Sequence, residues 1–174
     1  GDSAISHGHD IPSPPDIKLH ALKDLDLEKI FSYINPIMLY GRHLGLKGNP
    51  EELLRQGHAK VVELQELIRR LQDEVLEKGL IKPRAVARFF PAQSDGEALV
   101  LYDSVREPRP LERFLFPRQG SGERLCLADF VSPRDLGRMD YVVLFAVTCG
   151  EGVRELSERW REEGEYLRAH ALQA

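Results

Sequence analysis

Apolar positions along this chain change their spacing several times, and each change marks an element. Over residues 54–75 the series Leu54, Gly57, Val61, Leu64, Ile68, Leu71 and Val75 occupies heptad a and d positions, and Leu53, Val62, Leu67 and Leu76 widen the stripe. The pattern predicts one long helix over residues 50–78. Asn49 suits its N-cap, Pro50 the first helical position, Glu51 and Glu52 the positive end of the dipole, and Gly79 the stop. A stripe this wide predicts packing on a sheet or helix of the same molecule rather than an intermolecular coiled coil. Gly57 would then allow a close backbone approach. A shorter period, Leu27, Ile30, Phe31 and Ile34, predicts a helix over residues 27–33, capped by Asp24 or Asp26 and ended by Pro36. Between residues 34 and 50, apolar residues mixed with Gly41, Gly45 and Gly48 predict one or two short helices broken by glycine. Val153, Leu156, Trp160, Leu167 and Ala171 return to helical spacing near the carboxyl end.

Between these helical stretches the pattern turns to that of strands. RAVARFFPA (residues 84–92) is a β-rich run that Pro91 is expected to terminate, QSDGE supplies a turn, and ALVLYD (residues 98–103) returns as the second arm of a hairpin. Residues 111–119 form either a further short strand or an apolar loop. The longest uninterrupted apolar run, residues 141–148, is too short to span a bilayer and too β-branched to favour a helix. It reads as a strand covered on both faces and as the centre of the sheet. These elements predict an α+β fold: a single domain whose antiparallel sheet is covered by the helix over residues 50–78 and by the C-terminal helix.

Composition narrows this picture only modestly. With 174 residues, 42% hydrophobic and 30% charged, the chain is long enough for one domain with a real core and short for two. The net charge of -4 is spread without a basic stripe, which argues against a nucleic-acid partner, and no apolar run approaches membrane-span length. Cys126 and Cys149 lack CxxC spacing and read as small buried hydrophobes, with a reducing cytosol as the natural compartment and a cytoplasmic location as the expectation. The opening GDSAISHGHDIPSPPD is rich in Ser, Pro, Gly and His and reads as a linker, residues 1–24. The first residue is not Met and the last helix carries no C-terminal cap, so further polypeptide is expected at both ends.

Candidate chemistry is sparse. His7 and His9 beside Asp10 have a metal-like spacing, but two His and one Asp on a linker do not make a closed site, so no metal ligand is assigned. There is no GxSxG, HExxH, P-loop or GxGxxG, and no catalytic residue is assigned. Asp129, set between Ala128 and Phe130, is a carboxylate in an apolar setting and needs partners. Its expected role is to accept hydrogen bonds from backbone amides at a turn and to fix the loop at Pro133, with direct contact to a ligand as the alternative.

Three ordered motifs add a resemblance. FFPAQSDGEALVLYD, LCLADFVSP and MDYVVLFAVTCG, preceded by YINPIMLYGRHLGLKG and the long helix, resemble the activation domain of cobalamin-dependent methionine synthase over residues 25–174. The resemblance implies a module that binds S-adenosylmethionine and supports reductive remethylation of cob(II)alamin. The cobalamin is held by a neighbouring domain of the same polypeptide and the electron comes from a flavodoxin-like donor. Zinc is expected only elsewhere in the full enzyme. The module is part of a methyltransferase, and by itself this fragment is expected to be inactive. An interaction module docking on a corrinoid domain or a flavodoxin is the alternative, and an unrelated small-molecule binder of the same fold is a third.

The resemblance also implies site residues. An aspartate commonly follows the isoleucine matching Ile34 and takes part in S-adenosylmethionine binding; this chain has Asn35. An ionised carboxylate near a cationic ligand interacts by about 4 kcal/mol at intermediate dielectric before desolvation. A neutral amide keeps a hydrogen bond of about 1 kcal/mol net. Phe90 and Pro91 are carried over as cofactor-binding candidates, beside the alternative that they pack a strand end on the core. The family's Arg-x-x-x-Gly-Tyr motif, which supplies further ligand contacts, has no counterpart in the sequence, so this chain is expected to hold the N-terminal part of the domain and part of the site.

Overall fold

The structure is a computed structural model that describes residues 5–174; the first four residues of the expected linker lie outside the described residues. Two compact units emerge from the chain. One takes the chain up to Ala21 together with Val86–Ala146, and the other takes Leu22–Ala85 together with Val147–Ala174. The class is α+β as expected, with a five-stranded sheet.

The sheet is built around a hairpin. Strands β1 (His20–Leu22), β2 (Arg84–Asp95), β3 (Ala98–Tyr102) and β4 (Pro110–Leu115) follow one another in order, and β5 (Asp140–Thr148) pairs with β2. β2 and β3 are antiparallel with Ala92 opposite Leu101 and Asp95 opposite Ala98, so Gly96 and Glu97 form the turn. Gly96 takes the left-handed conformation such a tight reversal asks for, at φ 62°. β3 and β4 are also antiparallel, with a register shift at Leu101 and Tyr102. Of the two readings of residues 111–119, the strand holds for residues 111–115, and residues 116–119 form a loop. Pro91 does not terminate β2, contrary to expectation. It stands one residue ahead of Ala92, where the ladder to β3 begins, so its missing N–H removes no bond of that ladder.

The centre of the sheet also differs from the reading of the sequence. Every residue of β3 is buried, whereas β5 is half-buried at its first three residues and exposed beyond them. Phe145 is 69% exposed and Val147 70%. The covered strand is β3, which has β2 and β4 as neighbours; β5 is joined to β2 alone among the described residues. The apolar cluster of this unit joins Ala92, Leu99, Leu101 and Val131, with Phe90, Phe116 and Val142 packed around it.

Part of the N-terminal segment is fastened to this unit. Arg138 donates to the carbonyl oxygens of His7 and His9, and Arg88 Nε donates to the Ile17 carbonyl at 3.0 Å. Asp16 receives a 2.8 Å contact from His20 Nε2, at the start of β1. Hydrophobic periodicity could not have revealed these contacts, because they join polar side chains to backbone oxygens or to one another.

The helical unit contains α1 (Leu27–Phe31), α2 (Pro50–Arg55), α3 (Ala59–Lys78), α4 (Val153–Glu162) and α5 (Tyr166–Gln173), with a π-helical segment at Ile37–His43. Asp26 is the N-cap of α1, accepting from Lys29 N. Asn49 caps α2 by accepting from Glu51 N and Glu52 N, Pro50 opens it, and Gly79 ends α3 at φ 59°. The expected long helix is interrupted at residues 56–58, where Gly57 adopts φ 66°. An added Cβ at Gly57 would meet nothing within 4 Å, so this glycine serves backbone conformation and not close approach. Val61, Leu64, Ile68, Leu71 and Val75 are the buried residues of α3, the heptad series read from the sequence. At the carboxyl end Gly164, at φ 84°, divides the expected single helix into α4 and α5. The division buries Trp160, Ala169 and Ala171 and leaves Leu167 exposed. Ser157 Oγ donates to the Ala169 carbonyl at 3.1 Å, tying the two helices together.

Candidate functional site

Asn35 stands at the start of the π-helical segment. Its Oδ1 accepts from Ile37 N at 2.9 Å and from Met38 N at 3.2 Å, so the side chain closes the open amino end of the turn. The segment continues with Leu44 N donating to Leu39 O at 2.9 Å, a bond spanning five residues. With Oδ1 engaged, the Nδ2 donor is the group Asn35 can offer outward. Its neighbours Ile34, Pro36, Leu39 and Tyr40 line a groove of about 570 Å³ in the helical unit, whose wall is continued by Ile68 and Arg69 of α3. Burial in this groove raises the Tyr40 hydroxyl above its usual range, so it is held as the neutral phenol.

Phe90 and Pro91 belong to the sheet unit. Pro91 is fully buried, and Phe90 is half-buried against the sheet cluster with the Arg88 guanidinium 4.6 Å from its ring centroid.

Asp129 has partners that sequence reasoning found only in part. The segment Leu127–Phe130 is a 3₁₀ turn, and Asp129 Oδ2 accepts from Cys126 N at 2.9 Å, the backbone contact expected at a turn. The missed partner is Arg118, whose guanidinium meets the carboxylate in a two-pronged pair at 2.6 Å and 2.8 Å. The Arg118 hydrogen bonds hold Asp129 below the ordinary carboxylate range, burial opposes them, and the Cys126 amide adds to the lowering. The same contact raises the Arg118 guanidinium. Arg118 Nη1 also donates to the Arg124 carbonyl at 2.7 Å, so the pair pins the loop that precedes the turn. The pairing spans eleven residues of irregular chain, and no periodic signal joins its members.

The pair lies on the wall of an open cleft of about 1000 Å³ in the sheet unit, lined also by His7, the hairpin turn at Gly96 and Glu97, and Arg134. Cys126 is buried, as read from the sequence, and its thiol approaches the Phe116 carbonyl at 3.0 Å; Cys149 is exposed, contrary to expectation, because it follows the uncovered end of β5. Among the described residues no three His, Cys, Asp or Glu side chains are grouped to hold a metal ion, and no helix is long and apolar enough to cross a membrane.

Comparison with known proteins places this geometry. The family model described as "Vitamin B12 dependent methionine synthase, activation domain" matches residues 26–174. The chain belongs to this family. Methionine synthase of Mycobacterium tuberculosis is 26% identical over 186 aligned residues, covering 98% of this chain and 15% of the relative. The Mycobacterium leprae methionine synthase is 27% identical, covering 94% of this chain and 14% of the relative. The activation-domain chain thus spans about 15% of the length of these relatives. A solved structure, the crystal structure of the MetH reactivation domain bound to AdoHcy, shares the fold with a TM-score of 0.80 at 23% identity. That match covers 97% of this activation-domain chain and 55% of the solved chain.

Proposed function

We propose that this chain is an S-adenosylmethionine-binding reactivation module of a cobalamin-dependent methionine synthase. The observation that carries the reading is the family match over residues 26–174; the AdoHcy bound by the solved relative supports the same ligand class. When bound, cobalamin held by a neighbouring domain and the sulfonium of S-adenosylmethionine supply the methyl-transfer chemistry, with an electron from a flavodoxin-like donor. This chain's own part is to bind and orient. Residues 1–24 act as the connection to the cobalamin-binding domain, and residues 25–174 supply the N-terminal part of the activation domain.

Asn35 suits a ligand contact of a particular kind. Because Oδ1 is held by two backbone amides, Nδ2 donates, and it matches the carboxylate of an amino-acid moiety better than a sulfonium or ammonium. An aspartate at this position would keep one oxygen for the amides and present a second, negative one to the cationic end. Phe90 is a candidate contact through its half-buried ring, and Pro91, next to it in β2, is buried.

Titration calorimetry with S-adenosylmethionine tests the reading. This chain and a version extended by a segment carrying the family's Arg-x-x-x-Gly-Tyr motif are compared, and heat is expected from the extended protein. Its absence would overturn the proposal in favour of a docking module that binds no ligand. In the extended protein Asn35→Asp is expected to tighten binding by about tenfold, roughly 1.4 kcal/mol; unchanged affinity removes Asn35 from the site.

A further inference from the structure

Residues 5–19 belong to the sheet unit, yet none of them is buried. Their start is fastened through its main chain. Arg138 Nη1 donates to the His9 carbonyl at 3.3 Å and Nη2 donates to the His7 carbonyl, so one planar guanidinium holds two peptide oxygens. The same segment walls a cavity. Ile5 and His7 line the cleft that holds the Arg118–Asp129 pair, with Arg134 and the hairpin turn at Gly96 and Glu97 on the remaining wall.

The groups that receive this segment are built without it. Gln93 Nε2 donates to the Arg138 carbonyl at 2.9 Å, and Gln93 is itself buried in β2 opposite Val100 of β3. Two residues beyond Arg138, Asp140 accepts from Ser132 N at 3.0 Å and from Tyr141 N at 2.7 Å. Arg118 and Asp129 hold each other, and Arg118 holds the Arg124 carbonyl. These contacts use nothing from residues 5–9, so the guanidinium and the cleft keep their places when the segment lifts. Lifting it exchanges hydrogen bonds at the surface for water and exposes no buried side chain, whereas opening the β2–β3 hairpin exposes a core strand.

We propose that the cleft and Arg138 form an acceptor for an extended peptide, recognised by its carbonyls, and that residues 5–9 are a strap occupying it in cis whose release opens the cleft without unfolding the sheet. The strap is an internal competitor for its own site. The inference goes beyond the S-adenosylmethionine reading and does not depend on that ligand.

Backbone ¹⁵N relaxation of the 174-residue chain tests it. Residues 5–9 are expected to have order parameters near ~0.85, falling below ~0.6 in Arg138→Ala, while the β2–β3 amides keep their exchange protection in both proteins. The amides of Gly96 and Gly122, on the cleft wall, are expected to shift as the strap leaves. Replacing both histidines, His7→Ala with His9→Ala, is expected to leave the strap ordered, because carbonyls and not rings are held. A free peptide with the sequence of residues 5–12, acetylated and amidated to remove its terminal charges, is expected to displace half of the strap at a concentration on the order of 1 to 10 mM, the effective concentration of a short tethered segment. A strap as mobile in the unaltered chain as in Arg138→Ala would overturn the proposal, and so would an Arg138→Ala strap that stays ordered. Loss of β2–β3 protection on release would make the segment part of the fold and not an occupant. Unmoved Gly96 and Gly122 amides would refute the opening of the cleft, a strap loosened by the histidine replacements would refute recognition through carbonyls, and no displacement across that peptide range would refute a separable acceptor.

Discussion

Two buried side chains a few residues apart, Asp129 and Ser132, occupy opposite ends of the scale of polar satisfaction. The Asp129 carboxylate is held by Arg118 and by the Cys126 amide, whereas the Ser132 hydroxyl is buried with no hydrogen-bond partner among the described residues. Asp129→Ala removes a two-pronged charged contact and the partner of the Cys126 amide, while Arg118 keeps the half-exposed Glu97 carboxylate at 3.5 Å, so it is expected to cost about 2 kcal/mol. Ser132→Ala removes an unsatisfied group while its backbone keeps the contacts with Asp140 and Ser94. Its expected effect is a stabilisation of about 1 kcal/mol. Urea titrations of both variants check the pair of signs, and a destabilised Ser132→Ala would reveal an unseen partner for the hydroxyl. Of these features the sequence disclosed the oddity of Asp129 but not Arg118. A carboxylate flanked by apolar residues signals a need, while the residue that meets it is chosen by the path of the chain.

Elements were most legible where one signal repeated. The buried face of α3 follows the heptad series residue by residue, and Asn49, Pro50 and Gly79 mark ends that the structure keeps. Where the reading failed, a single glycine overrode the period: Gly57 separates α2 from α3, and Gly164 separates α4 from α5. Hydrophobic spacing continues across such breaks because both halves still face a core, so periodicity alone cannot see them. The two kinds of glycine respond differently to a methyl group. Gly57→Ala meets open space and is expected to cost about 1 kcal/mol through its left-handed backbone alone. At Gly150, φ is 94° and an added Cβ would lie 3.0 Å from the Lys82 carbonyl oxygen, against backbone that cannot swing aside. Gly150→Ala is therefore expected to lose clearly more stability than Gly57→Ala, and equal midpoints in chemical denaturation would contradict that ranking.

For the molecule as a whole, the sequence conveyed the α+β class and the hairpin but assigned the central place to the wrong strand. The apolar run of β5 was read as a strand covered on both faces, and the structure leaves most of it exposed, because an apolar run reports composition and not which neighbours the topology supplies. Electrostatics also acts at this scale. Asp16, Glu74, Asp95, Asp103 and Asp129 are all held below their ordinary range, chiefly by hydrogen bonds from His20, Lys78, Arg113, the Arg109 backbone amide and Arg118 respectively. A carboxylate whose folded-state value is depressed stabilises the fold above its unfolded value, near 4, and that contribution fades as pH falls through the folded value. Thermal midpoints are accordingly expected to stay level from pH 7 to about 5 and to drop progressively below about 4. A midpoint that rose on acidification would contradict the assigned directions.

The Arg138 clamp on His7 and His9 has a mechanical consequence. A pull applied at His7 loads that guanidinium, then the Arg88 contact at Ile17, then the short β1 ladder, before tension reaches α1. The N-terminal segment is thus a tether with a defined anchoring point on the sheet unit. Cutting it loose with Arg138→Ala is expected to make residues 7–17 the preferred target of limited proteolysis while the hairpin stays intact, and an unaltered cleavage pattern would mean that the anchor lies elsewhere. The His7–Ile17 stretch is thereby held to the sheet unit at two guanidinium contacts rather than by apolar packing.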